Sequence, residues 1–431
     1  MSSLSSQPYK GTRDYYPDDK RIQNHIFSVW RKVSESFGYE EYGAPLLEPI
    51  EIYAAKSGQE LTNEQTYTFT DRGGRLVSIR PEMTPSISRM VAARRQELAY
   101  PARLYSIANF MRYERPQRGR EREFWQLNVD IFGADGVGAE AEIIAMADGI
   151  MKAYGAQSSD YVIKVNNRKL INYMMAQYFG LDGVQAQLMV KLFDKKSKIS
   201  DQDFTDQATE IFGEGAESGL TKVKKLLDAT SMADLPDEIR GSSAVKEVQE
   251  LFTLLERAGV DSLVFDITLM RGLDYYTGMV FEVFDTHPDN SRSLFGGGRY
   301  DGLVGLFGAE PISAVGMAPG GTMIENFLTV HNLIPESRST TEVYVIVLGE
   351  AMRGASKLAQ DLREAGINVE LDITDRKLDK QIKAAVKKNI PYILFAGESE
   401  IETEIYTLKD VTSEDEQKLT FDQVVDTVKG R

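Results

Sequence analysis

Apolar residues recur along the chain with two periods, one typical of helices and the other of strands. Apolar positions three or four residues apart predict amphipathic helices over residues 21–37 and 140–154. Alternation over residues 127–132 predicts a half-buried strand that puts Asn128 and Asp130 on one face. Shorter apolar runs predict further strands at residues 75–79, 104–110, 263–268 and 279–284.

The amino-acid composition changes at two places along the chain. Residues 182–256 are charged and helix-prone, which predicts a helical insertion within a strand-rich domain. The polar stretch 335–341 predicts a linker, assigned to residues 331–341, between a domain at 1–330 and a domain at 342–431. In this last part, strands and helices are predicted in alternation, which indicates a small α/β domain with a mainly parallel sheet.

Composition and charge narrow the class of protein. The 431 residues include no cysteine, which excludes disulfides and thiolate zinc sites, and three scattered histidines, which do not suggest a metal cluster, so no residue is assigned as a metal ligand. A metal ion would be Mg²⁺ on carboxylates or substrate phosphates. The chain has no bilayer-length apolar run and no secretory signal, so a soluble cytoplasmic protein without membrane contact is expected. The net charge of -15 argues against a protein that coats nucleic acid in general. It does not exclude a nucleic-acid partner, because such binding depends on local basic patches.

One segment is rich in arginine despite the acidic chain. Residues 112–122 hold five arginines in eleven positions, and arginine forks match phosphate oxygens. A hairpin turning near Gly119 would aim Arg112 and Arg120 into one pocket, with Phe124 able to stack on a flat heterocycle. Glu114 shares the side of Arg112. The alternative is a solvated hairpin of mixed charge.

Other candidate segments are weaker alone. Residues 271–278 combine an arginine with two tyrosines, and the glycines of 296–298 let backbone approach a small polar ligand. Glu82 and Thr84 share parity and could hold an ammonium group, or simply form a strand-to-helix turn. A basic stripe near the end of the chain predicts phosphate contacts or a solvated helix face. It consists of Arg376, Lys380, Lys383 and Lys387.

Taken in order, these segments resemble the class II aminoacyl-tRNA synthetases, and specifically the histidyl-tRNA synthetase family. Residues 10–17 resemble the family's opening signature, residues 46–49 its motif 1, and residues 112–124 its motif 2. Residues 271–278 and 297–302 resemble the two histidine-specific signatures. These signatures indicate the histidyl family, whereas motif 2 alone would indicate only class II. The resemblance covers nearly the whole chain.

The resemblance implies a fold and an activity. It implies an α+β catalytic domain with a mainly antiparallel sheet, a helical insertion, and a C-terminal α/β anticodon-binding domain. It also implies a homodimer formed through motif 1. The implied enzyme is a ligase that joins L-histidine to ATP as histidyl-adenylate, releases pyrophosphate, and passes the histidyl group to tRNA(His). ATP is a substrate, and Mg²⁺ accompanies it.

The resemblance also implies residue roles. Arg112 and Arg271 would hold the histidine carboxylate and the α-phosphate as catalytic cations. Three residues would bind the rest of ATP, with Arg120 on the terminal phosphates, Glu114 on the adenine side and Phe124 stacked on the base. The remaining residues would bind histidine. They are Glu82, Thr84 and Gln126 for the α-amino group, Asp130 and Tyr276 for the imidazole nitrogens, and Tyr275 and Tyr300 for the pocket walls.

Two positions depart from the family pattern. Bacterial members often place glutamate where this chain has Asp130. Motif 3 normally carries an arginine that covers ATP, and the alignment of residues 316–324 puts Met323 there. This loss favours a rival interpretation, a non-catalytic regulatory subunit of ATP phosphoribosyltransferase, which shares the fold. The intact Arg112 and Arg271 and the C-terminal domain favour the enzyme.

Overall fold

The computed structural model describes residues 4–54, 65–196, 199–229, 231–270, 275–336, 339–374 and 376–430. The chain divides into two compact units, Met1–Ile334 and Pro335–Arg431. Among the described residues, no helix has both the length and the apolar character that crossing a bilayer requires. The domain bounds given from the sequence stay predictions.

The first unit is organised around an eight-stranded sheet with the strand order β1-β5-β6-β11-β10-β9-β7-β8. The outer ladders, β1 with β5 and β7 with β8, are parallel, and the inner ladders are antiparallel, which confirms the predicted mainly antiparallel sheet. Strands β2, β4 and β3 form a second, three-stranded sheet, in which β2 lies at an edge, as its Pro49 requires. The strands are β1 (Glu40–Glu41), β2 (Leu47–Pro49), β3 (Tyr67–Thr70), β4 (Leu76–Ile79), β5 (Ala102–Met111), β6 (Glu123–Phe132), β7 (Tyr161–Asn167), β8 (Leu263–Phe265), β9 (Met279–Asp285), β10 (Ser293–Arg299) and β11 (Ala314–Met317).

Helices cover one face of the large sheet. Helix α1 begins at Pro17, four residues before the predicted start, because proline is well suited to the first helical position. Trp30 of α1, Ile144 of α4, Leu251 of α10 and Phe327 of α11 are all buried in one core against the sheet. The helices are α1 (Pro17–Ser36), α2 (Glu51–Ala54), α3 (Thr84–Ala93), α4 (Gly138–Ala153), α5 (Arg168–Tyr173), α6 (Gly183–Lys195), α7 (Asp201–Phe212), α8 (Ala216–Leu227), α9 (Asp237–Arg240), α10 (Ser243–Arg257) and α11 (Gly321–Val330).

The insertion has its own core. Helices α5 to α9 bury a separate apolar cluster that includes Leu170, Phe204 and Leu226. Helix α10 links this cluster to the sheet, because Val245 packs in the insertion while Leu255 packs in the main core. The helices predicted over residues 182–256 are therefore present, but the insertion cluster begins earlier in the chain, at Leu170.

The second unit contains a five-stranded sheet with the order β13-β12-β14-β15-β16. The ladders of β12 with β13 and with β14 are parallel, but β15 and β16 are antiparallel additions. The predicted mainly parallel sheet is therefore wrong for half of the ladders, since β16 is almost entirely polar and exposed and has no strand-like alternation. The elements are β12 (Val343–Val347), α12 (Met352–Glu364), β13 (Val369–Leu371), α13 (Leu378–Lys387), β14 (Tyr392–Ala396), α14 (Glu398–Thr403), β15 (Ile405–Asp410), β16 (Glu416–Thr420) and α15 (Phe421–Lys429).

Candidate active site

The candidate site lies on the sheet face opposite the helices. On β6, Leu127 and Val129 point into the helix-covered core, so the alternating Gln126 and Asp130 point to the other face. Asp130 pairs with Gly316 of β11, which in turn pairs with Gly298 of β10. Two neighbouring strands therefore present no side chain beside Asp130, which leaves a trough floored by backbone.

Asp130 and Tyr300 form the deepest polar pair of the trough. Asp130 is buried, and the Tyr300 hydroxyl donates a short hydrogen bond to its Oδ1. Burial raises the pKa of Asp130 to about 7, although the bond from Tyr300 favours the charged form. A methyl group on Gly316 would collide with the Asp130 carboxylate, so glycine at position 316 is required by the carboxylate beside it.

Tyr275 joins two other predicted residues at the trough wall. Its hydroxyl lies 3.1 Å from Glu82 Oε2 and 3.4 Å from Thr84 Oγ1, and Glu82 is buried. Its ring meets that of Tyr300 edge to face, with centroids 5.8 Å apart. Glu82 and Thr84, which the sequence puts on the same side of the chain, therefore both face the Tyr275 hydroxyl. The Tyr275 ring in turn packs on Tyr300, the partner of Asp130.

Tyr276 lies over the glycine floor. A side chain on Gly298 would come within 3.0 Å of the Tyr276 ring, so the tyrosine covers that glycine. Burial raises the pKa of Tyr276, and the carboxylates of Glu82, Asp130 and Glu282 raise it further. The Tyr276 side chain thus sits within the electrostatic reach of three acids, in a polar but largely enclosed pocket.

The arginine-rich hairpin is formed by β5 and β6. Arg112 donates from Nε to the Pro81 carbonyl at 2.9 Å, and its guanidinium carbon lies 5.3 Å from the centroid of Phe124. Arg120 forms an ion pair with Glu114 at 3.0 Å. The structure therefore pairs Arg112 with Phe124, and Arg120 with Glu114, which are the four residues to which the family resemblance assigned ATP contacts.

Arg122, another arginine of the hairpin, has local contacts of its own. It is buried, donates to the Glu114 carbonyl at 3.1 Å, and lies 4.0 Å above the Tyr113 ring. Its guanidinium therefore stabilises the hairpin itself, since it contacts the Glu114 carbonyl and the Tyr113 ring within the hairpin.

Gln126 lies where β6 meets the loop before α11. Its Nε2 donates to the Ala318 carbonyl at 3.1 Å, on the same face as Asp130. Arg271 lies outside the described residues, as do residues 272–274, so the predicted carboxylate-binding arginine has no described position.

A network that sequence reasoning missed ties the hairpin to α11. Glu121 accepts a hydrogen bond from Thr322 at 3.0 Å and pairs with Arg13 at 3.3 Å, and Arg13 also pairs with Glu325. A side chain on Gly119 would collide with the Met323 sulfur, so Met323 packs under the hairpin turn. These contacts fix the hairpin against the start of the helix.

A second missed feature is a buried ion pair behind the trough. Arg299 donates to both oxygens of Glu140 at 2.6 and 2.7 Å, and both residues are buried. Because Arg299 precedes Tyr300, the pair anchors the end of β10 that carries the tyrosine. A signal was present in the sequence, since Glu140 interrupts the apolar face of α4 that Ile143 and Ile144 continue.

A third missed feature is a buried tyrosine hydroxyl near the trough. Tyr42 Oη is buried and has no hydrogen-bond partner among the described residues. Burial raises the pKa of Tyr42, and the neighbouring Asp130 raises it further while Arg80 lowers it. Arg80 itself donates to the Ala44 and Asn109 carbonyls at 2.8 and 2.9 Å. No sequence pattern indicates this placement.

A cavity of about 810 Å³ lies beside the hairpin turn. Its walls include Arg120, Met323 and Glu282, together with the segment around Arg292. It is large enough for the polyphosphate of a nucleotide. Positive charge from the hairpin and a carboxylate from β9 therefore face the same space.

The basic stripe of the second unit is only partly available. Arg376 donates to Asp372 at 2.9 Å and to Thr374 at 2.7 Å, which commits its guanidinium to its own turn. Lys380, Lys383 and Lys387 are exposed on α13 and form no ion pair with a described residue. Arg376 is therefore held by its own turn, whereas the three lysines are exposed to solvent.

Comparisons with known proteins agree over the whole chain. Residues 11–320 match the family model described as histidyl-tRNA synthetase, and residues 342–431 match the model of an anticodon binding domain. A protein of Leptospira biflexa named histidine–tRNA ligase is 40% identical over 99% of this chain and 98% of its own. One of the same name from Haloarcula marismortui is 36% identical over 93% of each chain.

Solved structures support the fold. The crystal structure of histidyl-tRNA synthetase from Nostoc sp. PCC 7120 superposes with a TM-score of 0.84 at 24% identity, and covers 100% of both chains. A structure from Bacillus halodurans, titled ATP phosphoribosyltransferase regulatory subunit/histidyl-tRNA synthetase, has a TM-score of 0.70 at 22% identity. It covers 92% of this chain and 99% of its own. At these identities the structures bear on the fold alone.

Proposed function

The chain belongs to the histidyl-tRNA synthetase family, and we propose that it activates L-histidine with ATP and transfers the histidyl group to tRNA(His). The observation that carries this proposal is the trough beside Asp130. An imidazole needs hydrogen-bond partners for two ring nitrogens, and Asp130 and Tyr276 supply polar atoms over the glycine floor. An amino acid that lacks either nitrogen would leave a buried polar group unpaired, which is costly.

The proposed amino-acid pocket continues from the imidazole to the backbone of histidine. Glu82, Thr84 and Gln126 would hold the α-ammonium group, since Tyr275 already orients the first two. Tyr300 would close the pocket and keep the Asp130 carboxylate oriented through its hydrogen bond. The carboxylate of histidine would then face the hairpin and Arg112.

In the first step, an oxygen of the histidine carboxylate forms a bond to the α-phosphorus, and the bond from that phosphorus to the bridging oxygen breaks. Pyrophosphate leaves with the electron pair. Negative charge grows on the phosphoryl oxygens, so fixed cations aimed there give a large stabilisation. Arg112 is oriented by its Nε contact to Pro81, and we propose Arg271 as its partner from the sequence signature.

We propose that the hairpin binds the nucleotide. Phe124 would stack on adenine, Glu114 would lie on the adenine side, and Arg120 would bind the terminal phosphates in the 810 Å³ cavity. Mg²⁺ fits this site, because Glu282 presents a carboxylate to the same cavity, and Mg²⁺ prefers one or two carboxylates together with phosphates. When bound, the ion would neutralise phosphate charge.

Exchange of radioactive pyrophosphate into ATP tests the activity. We expect exchange that depends on L-histidine and is absent with other amino acids. Histidine binding without exchange by the folded protein would favour the regulatory-subunit alternative. That alternative is less well supported, because the anticodon binding domain model matches residues 342–431 and the two relatives described above are named histidine–tRNA ligase.

We further propose a homodimer formed through the three-stranded sheet. Leu47 and Phe69 lie on the same face of this sheet and are each 45% exposed. Exposed large apolar residues on a small sheet are typical of a subunit contact. Light scattering should give twice the mass of 48.3 kDa, and Leu47→Asp with Phe69→Asp should give a monomer. A wild-type monomer that is fully active would contradict this.

We propose that Lys380, Lys383 and Lys387 contact tRNA phosphates, whereas Arg376 contributes less because Asp372 holds it. Replacing each lysine by alanine should lower the salt dependence of tRNA binding by about one unit of slope per residue. Filter binding at several salt concentrations measures this slope. Lys357→Ala, which removes a lysine already paired with Asp361, is the control. An unchanged slope in the triple variant would contradict the assignment.

A further inference from the structure

The cavity at the hairpin end receives little positive charge from α11. The helix sequence from Gly321 to Val330 contains no lysine or arginine. Its first turn instead gives a hydroxyl from Thr322 to Glu121 and the thioether of Met323 to the underside of Gly119. A neutral, apolar side chain therefore occupies the place where the family resemblance predicts a cation. Binding the polyanionic end of a nucleotide requires charge from elsewhere in the cavity wall.

Among the residues that the structure describes, four cationic side chains line this cavity, and three of them are paired with acids. Lys164 lies 2.8 Å from Asp266, Lys196 is paired with Asp201, and Arg120 lies 3.0 Å from Glu114. Each of these charges is already partly neutralised within the protein. A pairing carboxylate also competes with a phosphate for the same donors.

Arg292 is the fourth cation, and it differs from the others. Among the described residues, no carboxylate lies within ion-pair distance of Arg292. Its Nη2 instead donates to the Gln117 side-chain oxygen at 3.0 Å, and this amide carries no charge. The contact orients the guanidinium and leaves its positive charge available.

The contact to Gln117 also sets where Arg292 lies. Gln117 and Arg120 close the hairpin turn through paired backbone hydrogen bonds of 3.1 and 2.8 Å. Arg292 comes from the other side of the cavity, one residue before β10, the strand that carries Gly298 of the trough floor. Arg292 is therefore fixed beside the turn that presents Arg120, at the end of the strand that runs from the trough.

We propose that Arg292 binds the β- and γ-phosphates of ATP together with Arg120, and supplies the charge that Met323 cannot. Gln117 acts as the positioning residue that holds the guanidinium toward the cavity. A guanidinium fork matches two phosphate oxygens at once, which suits a group fixed at one nitrogen by an amide. This inference rests on the proposed function, because it takes ATP as the ligand of the cavity.

Arg292→Gln and Arg292→Lys test this role. With saturating histidine, Arg292→Gln should raise the KM for ATP in pyrophosphate exchange about ten- to a hundredfold, the usual effect of losing charge-assisted hydrogen bonds. Arg292→Lys should restore part of the loss. Titration calorimetry should show weaker ATP binding but unchanged AMP and histidine binding, because AMP lacks the two outer phosphates. Lys224→Gln removes the same charge from the exposed face of α8 and serves as the control.

The outcomes separate this inference from the proposed function. If wild-type protein exchanges pyrophosphate and Arg292→Gln keeps the KM and the ATP affinity within twofold, the role of Arg292 is wrong and the proposed function stands. An equal loss of AMP and ATP binding would also overturn it, since the effect would then not come from the outer phosphates. If wild-type protein binds histidine but neither binds ATP nor exchanges pyrophosphate, both fail together.

Discussion

Tyr300 and Asp130 meet across a strand that contributes only backbone between them. Asp130 lies on β6, Tyr300 directly follows β10, and Gly316 of β11 lies between the two strands at the level of Asp130. The Tyr300 hydroxyl donates to the Asp130 carboxylate, and a side chain at position 316 would collide with that carboxylate. The pair therefore requires the correct register of β6, β11 and β10. It connects Asp130 of β6 with Tyr300 of the histidine signature at residues 297–302.

Asp130→Asn should change how stability depends on pH. Burial raises the folded-state pKa of Asp130 from 3.8 to about 7, so between these values the folded state binds a proton that the unfolded state releases. The contribution of Asp130 to stability therefore falls as pH rises from about 4 to 7, and the variant lacks this contribution. The difference in unfolding free energy should change by up to about 4 kcal/mol over the range.

Urea denaturation of both proteins at pH 4.5, 6 and 8 measures this difference. Asp206→Asn, on the exposed surface of α7, is the matched control and should show no such trend relative to wild type. A constant difference between wild type and Asp130→Asn at all three pH values would mean that Asp130 is charged throughout.

Tyr300→Phe should shift the pH at which histidine binds. The tyrosine hydrogen bond favours the ionised form of Asp130, so its loss raises the pKa of the carboxyl group further. Because the proposed pocket uses the ionised carboxylate to accept an imidazole N–H, the midpoint of the affinity profile should rise by about one pH unit or more. Calorimetric titration with histidine between pH 6 and 9 tests this, and an unmoved midpoint would contradict it.

Glu140→Gln should destabilise the first unit strongly. The variant removes the buried carboxylate from the Arg299 guanidinium and leaves only the more exposed Asp301 at 3.4 Å, and breaking a buried pair in this way costs about 3–5 kcal/mol. Glu41→Gln breaks the exposed pair with Arg31 in the same unit and should cost less than about 1 kcal/mol. Denaturant titration followed by intrinsic tryptophan fluorescence distinguishes the two, because Trp30 and Trp125 both lie in the first unit. Equal effects would mean that the Glu140 pair does not anchor β10.

Arg271→Lys should impair adenylate formation although it keeps the charge. A guanidinium can bridge the histidine carboxylate and the α-phosphate, whereas an ammonium cannot contact two planar anions in the same geometry. Loss of one fixed donor for developing charge lowers kcat by about a hundredfold to a thousandfold. Single-turnover formation of histidyl-adenylate measures this step, and transfer from preformed adenylate should suffer much less. Adenylate formation within a few-fold of wild type would make Arg271 structural.

Local patterns in the sequence determined most elements and the chemistry of the candidate site. The strand alternation over residues 127–132 put Asp130 on a different face from its apolar neighbours, and β6 has this arrangement. The hairpin placed Arg112 beside Phe124, and Arg120 beside Glu114, because residues close in sequence meet wherever a turn brings two strands together. The polar strand β16 was not predicted from the sequence, since its stability comes from pairing with β15 and not from an apolar face of its own.

Only the tertiary structure decided which distant residues meet. Glu140 and Arg299 are 159 positions apart, and Gln117 and Arg292 are 175 apart, so their contacts depend on strand order and register across the whole sheet. The packing of Met323 under Gly119 likewise follows from the way α11 meets the hairpin. Sequence periodicity reports which side of an element faces the core, but a long-range contact requires the positions of several elements at once. For that reason the sequence determined the class of site, and the fold decided that Arg292, among the described cations of the cavity, has no acidic partner.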